Sequence, residues 1–147
     1  MTNEVKNLPG PARGVRILHG ALLAGCTTAG IVLSVFRQIA PSPPAAAGPL
    51  IGYVLSGAAL LLLAIAAIGV RPRFPTRRSD QSAEAYWGPA EIRGSAIFLW
   101  AGIEGAALLG WLGYLLTGSL ADAAAGVVAL VVLFVYRPSR IEGDEAA

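Results

Sequence analysis

The sequence predicts an all-α polytopic membrane protein, a single domain of four transmembrane helices arranged as two hairpins with both termini cytoplasmic. Three observations predict it. Of 147 residues, 55% are hydrophobic and only 14% charged, whereas soluble domains carry about 25% charged residues. Four apolar runs, Val15 to Phe36, Leu50 to Val70, Ile92 to Leu116 and Leu120 to Tyr136, have the length and composition of membrane spans, the last being short. If those runs alternate in direction, Lys6, Arg13, Arg16, Arg71, Arg73, Arg77, Arg78, Arg93, Arg137 and Arg140 share one side and Arg37 alone takes the other. The positive-inside rule makes the crowded side cytoplasmic. That asymmetry also argues against a dual-topology exporter, which needs balanced charge to insert both ways. The net charge of +2 reflects residues beside apolar runs, so it does not predict nucleic-acid binding.

Taken in order, the lead Met1 to Arg16 contains Pro9, Gly10 and Pro11 and is expected to lack stable structure. In the first run, Leu23-Ala24-Gly25-Cys26 fits a lipobox, but the run continues ten residues beyond Cys26 where a lipoprotein would turn polar. A buried lone Cys in a first span is the expected state, and one cysteine forms no internal disulfide. Gln38 to Pro49 is rich in Pro and Ala and reads as a stiff extracytoplasmic connector. The second run closes on Arg71-Pro72. The loop that follows carries four Arg, then Asp80 and Glu84, with Tyr86 and Trp87 as interfacial anchors. Pro89 and Glu91 suit the first turn of the third helix, and Trp111 and Tyr114 form the matching outer belt. A turn at Thr117 to Asp122 leads to the fourth run, and the tail from Ile141 is expected to be disordered.

Chemistry concentrates on Glu104. The 25 residues Ile92 to Leu116 rise about 37 Å against a hydrocarbon core of about 30 Å, and Glu104 lies about 17 Å beyond Arg93, close to the midplane. A charged group there costs about 2.5–3.5 kcal/mol on an inserted helix, so Glu104 is expected to face protein or water as an ion-binding or buried polar group. Thr27 lies eleven residues past Arg16, at matching depth, with Thr28 beside it; either hydroxyl could bond the carboxyl, or Thr27 its own backbone. Ala101 and Gly105 on the third helix and Gly126 on the fourth permit close helix packing. His19, three residues from Arg16, is placed at the interface, satisfied by headgroups or water or serving as a proton relay. One His, one Cys and no Gly-rich phosphate loop predict no enzyme activity, metal site or cofactor.

The segment AIFLWAGIEGAALLGWLGYLLTG resembles the carboxylate-bearing helix of ATP synthase rotor proteolipids, which implies that Glu104 carries a proton or cation. Rotor proteolipids pair that helix with one bearing repeated Gly-x-Gly, whereas the second run here has Gly52, Gly57 and Gly69. The whole chain is similar to a set of uncharacterised small four-helix bacterial membrane proteins, through Ile17-Leu18-His19, Ala21 to Leu23, Glu104-Gly105, Leu115 to Gly118 and Arg137 to Ser139. Arg16 to Phe36 can also be laid on Arg93 to Gly113, as an internal duplication would require. The sequence therefore predicts a structural or accessory membrane subunit packing through Gly/Ala-rich faces. Its partners would be the lipid bilayer and a homo-oligomer or larger membrane complex. A proton- or cation-handling proteolipid and an oligomeric small-molecule or lipid transporter are the alternatives.

Overall fold

The structure is a computed structural model that describes residues 10–39 and 48–143, all helical or connecting, with no strand among them. Helix α1 runs Pro11–Ile39. It starts inside the expected lead because Pro11 presets the first turn and the Ala12 N–H donates to Glu84 Oε2 at 3.1 Å, a carboxylate placed at the positive end of the helix. At its other end it takes in Gln38 and Ile39, while the rest of the proline-rich connector, apart from its last two residues, lies outside the described residues. Helix α2 (Gly48–Ala64) widens into a π turn over Ile65–Val70 and tightens into a 3₁₀ turn at Arg71–Arg73. Pro72 explains the ending: it lacks an N–H, so the helix cannot continue regularly through it.

The expected loop between the second and third spans is partly built. Helix α3 (Ala83–Tyr86) is capped by the Ser82 hydroxyl, which accepts from the Ala85 N–H at 3.1 Å. Helix α4 (Ala90–Thr117) begins at Pro89 with Glu91 in its first turn and ends on Gly118, whose φ of +72° is the left-handed cap that glycine adopts without strain. Ser119 then caps α5 (Leu120–Val135), so two residues reverse the chain. Pro138 opens α6 (Pro138–Glu142), a short helix whose last two residues, Ile141 and Glu142, fall in the tail expected to be disordered.

Contacts at the two ends fix the directions. The side chains of Arg16, Arg77, Trp87 and Glu142 meet at one end. Those of Ser56, Thr117 and Asp122 meet at the other, with Arg37 packed against Gly118. Helices α1 and α4 therefore run one way and α2 and α5 the other. The core helix is α4. Half of its apolar window is buried (50%), against 17% in α1 and in α2, and it packs on α1, α2 and α5. Only one of the two expected hairpins is packed: α4 and α5 associate closely, whereas α1 and α2 flank α4 with almost no contact between them.

Three helices, Pro11–Ile39, Leu50–Arg73 and Ala90–Thr117, are long and apolar enough to cross a membrane. Helix α5, at 16 residues, is shorter. Large apolar side chains such as Ile31, Val32, Leu60, Leu61, Phe98 and Val128 face outward, which suits lipid and would be costly in water. The chain is a helical membrane protein.

Candidate functional site

Buried polar groups in an apolar bundle need partners, and those lacking one mark where something else must bind. Among the described residues, three deep polar groups find partners and two do not.

Glu142 is the first satisfied group. It is 1% exposed, and its carboxylate accepts from Trp87 Nε1 at 2.7 Å, from Arg77 Nη1 at 3.3 Å and from Arg16 Nη2 at 3.4 Å. Tyr86 and Trp87 are not interfacial anchors but core residues, at 1% and 0% exposure, stacked edge to face. Glu142 of α6 closes on Trp87, and Tyr86 packs beside it. His19 belongs to the same end. It is buried, and its Nε2 lies 2.9 Å from the Leu133 carbonyl, which can only accept, so that nitrogen carries the hydrogen. With its ring edge-on to Trp100, it is a packed tie between α1 and α5, in place of the headgroup- or water-facing position expected for it. Trp100 in turn donates to the Tyr136 carbonyl at 2.7 Å.

Tyr86 gives this cluster an alkaline limit. Its hydroxyl donates to the Pro75 carbonyl at 3.0 Å, and burial pushes the phenol above its ordinary 10.0, with Glu142 acting in the same direction and Arg71 opposing. The fold therefore binds this proton more tightly than the unfolded chain does. The stabilisation is full below pH about 10 and is lost as pH rises through and beyond that value. Melting temperature in detergent should fall above pH about 10, and Tyr86→Phe should flatten that fall; an equal fall in both proteins would exclude Tyr86 as its cause.

Asp122 is the third satisfied group and the one that sequence reading missed. It sits in the first turn of α5, 2% exposed, hydrogen-bonded to Ser56 Oγ of α2 and 2.7 Å from Thr117 Oγ1 of α4. Gly52 and Gly113 make room: a Cβ at either would come 2.9 Å from the Asp122 carboxyl group. The available signal was two hydroxyls and two glycines near the ends of three apolar runs, which becomes a site only when the helices are superposed.

Glu104 lies near the middle of α4, part-exposed, and makes no hydrogen bond to any described residue. The buried Cys26 thiol of α1 lies within electrostatic range of it. The expected threonine partners point elsewhere. Thr27 is exposed and donates to its own helix at Leu23 O, 2.7 Å away. Thr28 is exposed and likewise makes no hydrogen bond to the described residues. On α1 the buried position is Cys26, with both threonines turned outward, and the contacts of His19 with Trp100 and of Gly30 with Trp111 set Glu104 nearest Leu23 in height.

The small residues divide similarly. Gly126 packs as expected, but against Gly110 and Trp111 and not beside Glu104. Gly105 faces Leu62 of α2, while Ala101 is exposed. Trp111 leaves the expected outer belt entirely. It is 7% exposed, with its indole slotted between Gly30 and Gly126 and its Nε1 without an acceptor. The ring floors an open apolar groove of about 330 Å³ between α1 and α5.

The arrangement centres on an open strip of α4. Ile97, Ala101, Glu104, Leu108 and Leu112 recur at helical spacing and all retain exposure. Beside the strip α4 meets α2 at Leu62 and Ala66, and α1 packs on the same helix through His19 against Trp100 and Gly30 against Trp111. It presents a hydrogen-bonding carboxyl in an apolar surround. No three His, Cys, Asp or Glu side chains among the described residues come together to hold a metal ion. Comparison with protein-family models, with curated proteins and with solved structures gives no match, so the assignment rests on this geometry.

Proposed function

We propose that the chain is a structural or accessory subunit of an oligomeric integral membrane assembly, seated there through the open strip of α4. The observation that carries this reading is Glu104, part-exposed in an apolar strip with no hydrogen-bond partner among the described residues. A carboxyl at that depth is costly against lipid and is retained where another group satisfies it. Ala101 and Gly105, one turn before Glu104 and next to it, let a helix approach closely. In this reading α5 is a fourth span that rises about 24 Å and crosses with local thinning of the bilayer. Both termini then lie on the arginine-rich, cytoplasmic side, in keeping with the similarity to small four-helix bacterial membrane proteins.

A second reading has Glu104 carry a proton or cation, favoured by the same partial exposure, which leaves the carboxyl reachable. Glu104→Gln separates the two, because the amide keeps shape and an acceptor oxygen but cannot titrate. A packing role predicts that Glu104→Gln assembles like wild type, that Glu104→Leu does not, and that a hydrophobic carbodiimide leaves the assembled protein unlabelled. Selective labelling of Glu104 in the assembled protein, with protection by a competing cation, would overturn the structural reading in favour of the ionic one.

A further inference from the structure

We propose that the groove between α1 and α5 binds one phospholipid from the leaflet at the Arg37 end of the bundle. Its phosphate meets Arg37, its ester carbonyls accept from Ser34 and Trp111, and an acyl chain lies along the trough. This site is separate from the α4 strip and does not depend on it. At about 330 Å³ the groove has the size of a ligand cleft, and such clefts are mostly apolar with a few placed polar groups that orient the ligand. Thr27, Ile31 and Val35, at four-residue spacing on α1, form one wall; Val127 and Leu130 of α5 form the other, and Trp111 of α4 is the floor. Ile31, Val35 and Val127 are exposed, so the groove opens sideways onto the lipid-facing surface.

The polar groups follow one another along the groove in the order a phospholipid requires. The guanidinium of Arg37 reaches across from α1 to the α4–α5 turn, where a Cβ on Gly118 would lie 2.6 Å from its Nη2. Because α4 carries the floor and α5 the far wall, the groove ends beneath a cation. Gly30 lies two turns before Arg37, and Trp111 two turns before Gly118, so the Gly30–Trp111 contact sits about 10 Å further in. Ser34 falls between, about 4.5 Å inside Arg37, half-buried and without a hydrogen bond among the described residues. Trp111 Nε1, buried and lacking an acceptor, is on the side of the ring that Gly30 covers, and Gly30 is itself part of the groove wall. Beyond it the trough is apolar, since the Thr27 hydroxyl is tied to Leu23 O at 2.7 Å. Two donors without acceptors therefore stand below a guanidinium and above a hydrocarbon-lined trough. A partner helix would fill the trough but bring no backbone acceptor, because its carbonyls are bonded internally. A fatty acid has one polar group and cannot meet Arg37 and the deeper donors together. A diacyl phospholipid carries phosphate, then ester carbonyls, then hydrocarbon, in that sequence.

The test titrates the purified, delipidated full chain in detergent with a diester phosphatidylglycerol, its diether analogue and an uncharged diacylglycerol, and native mass spectrometry counts the adducts. The expected result is one tight adduct per chain with the diester phospholipid. The diether, which lacks the carbonyls, should bind roughly twofold to tenfold more weakly, and Arg37→Gln should weaken the diester by about tenfold or more. Ser34→Ala and Trp111→Phe should each weaken the diester and leave the diether unchanged, a coupling that a merely structural role would not produce. Val127→Trp, which fills the trough from an exposed position, should remove the adduct at an unaltered melting temperature. Equal binding of diester and diether, with Ser34→Ala and Trp111→Phe silent, would overturn the proposal and leave only loosely held surrounding lipid. An adduct that survives Val127→Trp would place the lipid elsewhere, and diacylglycerol binding as tightly as phosphatidylglycerol would remove the role of Arg37; either overturns it. Disulfide cross-linking of Ser34→Cys copies to one another in the native membrane, where native Cys26 is buried, would overturn it in favour of a second chain in the groove.

Discussion

Gly110→Ala should be the most damaging single-methyl change in the chain, costing more than about 3 kcal/mol and removing the folded bundle at moderate detergent or temperature stress. A Cβ at Gly110 would run into the backbone of Gly126, 2.7 Å from its Cα and closer still to its nitrogen. Backbone cannot rotate aside, so α4 and α5 must separate. Overpacking that side chains can absorb costs about 1–3 kcal/mol, and total stability is only about 5–15 kcal/mol. Gly30→Ala and Gly126→Ala are different cases. Each would meet the Trp111 indole, at 2.6 Å and 2.8 Å, and a side chain can shift or be replaced. Trp111→Leu should therefore rescue Gly30→Ala and Gly126→Ala but not Gly110→Ala. Alanine at Gly14, Gly20, Gly25 or Gly57, where nothing lies within 4 Å of the added methyl, should leave the monomer's stability unchanged or slightly raised, because Ala outranks Gly in helices. Thermal unfolding in detergent, followed by near-ultraviolet circular dichroism, ranks all of these. Equal melting of Gly110→Ala and Gly126→Ala would show that the two helix backbones are not in contact.

This packing also shows why the fold was partly legible in the sequence. The three long apolar helices follow from composition and run length, and two of their ends from Arg71-Pro72 and Pro89, which act on the chain locally; the start at Pro11 falls in the lead expected to be unstructured, because the Glu84 carboxylate that meets it is distant in sequence. Azimuth is not local. The sequence places Thr27 and Glu104 at one depth, but a helix turns 100° per residue, and the packed bundle gives the inward position to Cys26 and turns both threonines outward. Trp111 fails for a related reason. An aromatic near a helix end suits the interface by composition, and only the glycines at 30 and 126, distant in sequence, reveal the slot that receives its ring. Asp122 reads from sequence as an ordinary first-turn acid of α5; its bonds to Ser56 and Thr117 depend on how α2 lies beside α4 and α5. Glu104 was legible as a candidate because a carboxylate deep in an apolar run is conspicuous. That no described residue hydrogen-bonds it is knowable only once the helices are packed.

Glu142→Ala should release α6 as a unit while leaving the α4 core folded. Five residues cannot hold a helix alone, because nucleation costs more than one turn returns, so Pro138–Glu142 is helical by virtue of what it docks on. Ile141, 2% exposed, supplies the apolar part of that docking, and the Glu142 carboxylate supplies the polar part. Its three donors do not contribute equally. The side chain of Arg16 is 54% exposed and that of Arg77 23%, so either can turn to water or headgroups and loses little, as half-exposed ion pairs are worth under about 1 kcal/mol. Trp87 is fully buried, and its indole N–H has no such recourse. Leaving it without an acceptor costs about 1–3 kcal/mol, enough to tip a short terminal helix off its site. Glu142→Gln keeps an acceptor oxygen for Trp87 and should cost clearly less than Glu142→Ala. In a Trp87→Phe background, where the orphaned donor is gone, the difference between Gln and Ala should shrink. Hydrogen exchange measures this directly: in Glu142→Ala, amides 138–142 should lose protection while those of α4 around Ile103 to Trp111 keep theirs. If protection falls in α4 as well, α6 is part of the cooperative core, and the buried carboxylate holds the arginine-rich end together instead of fastening one helix onto it.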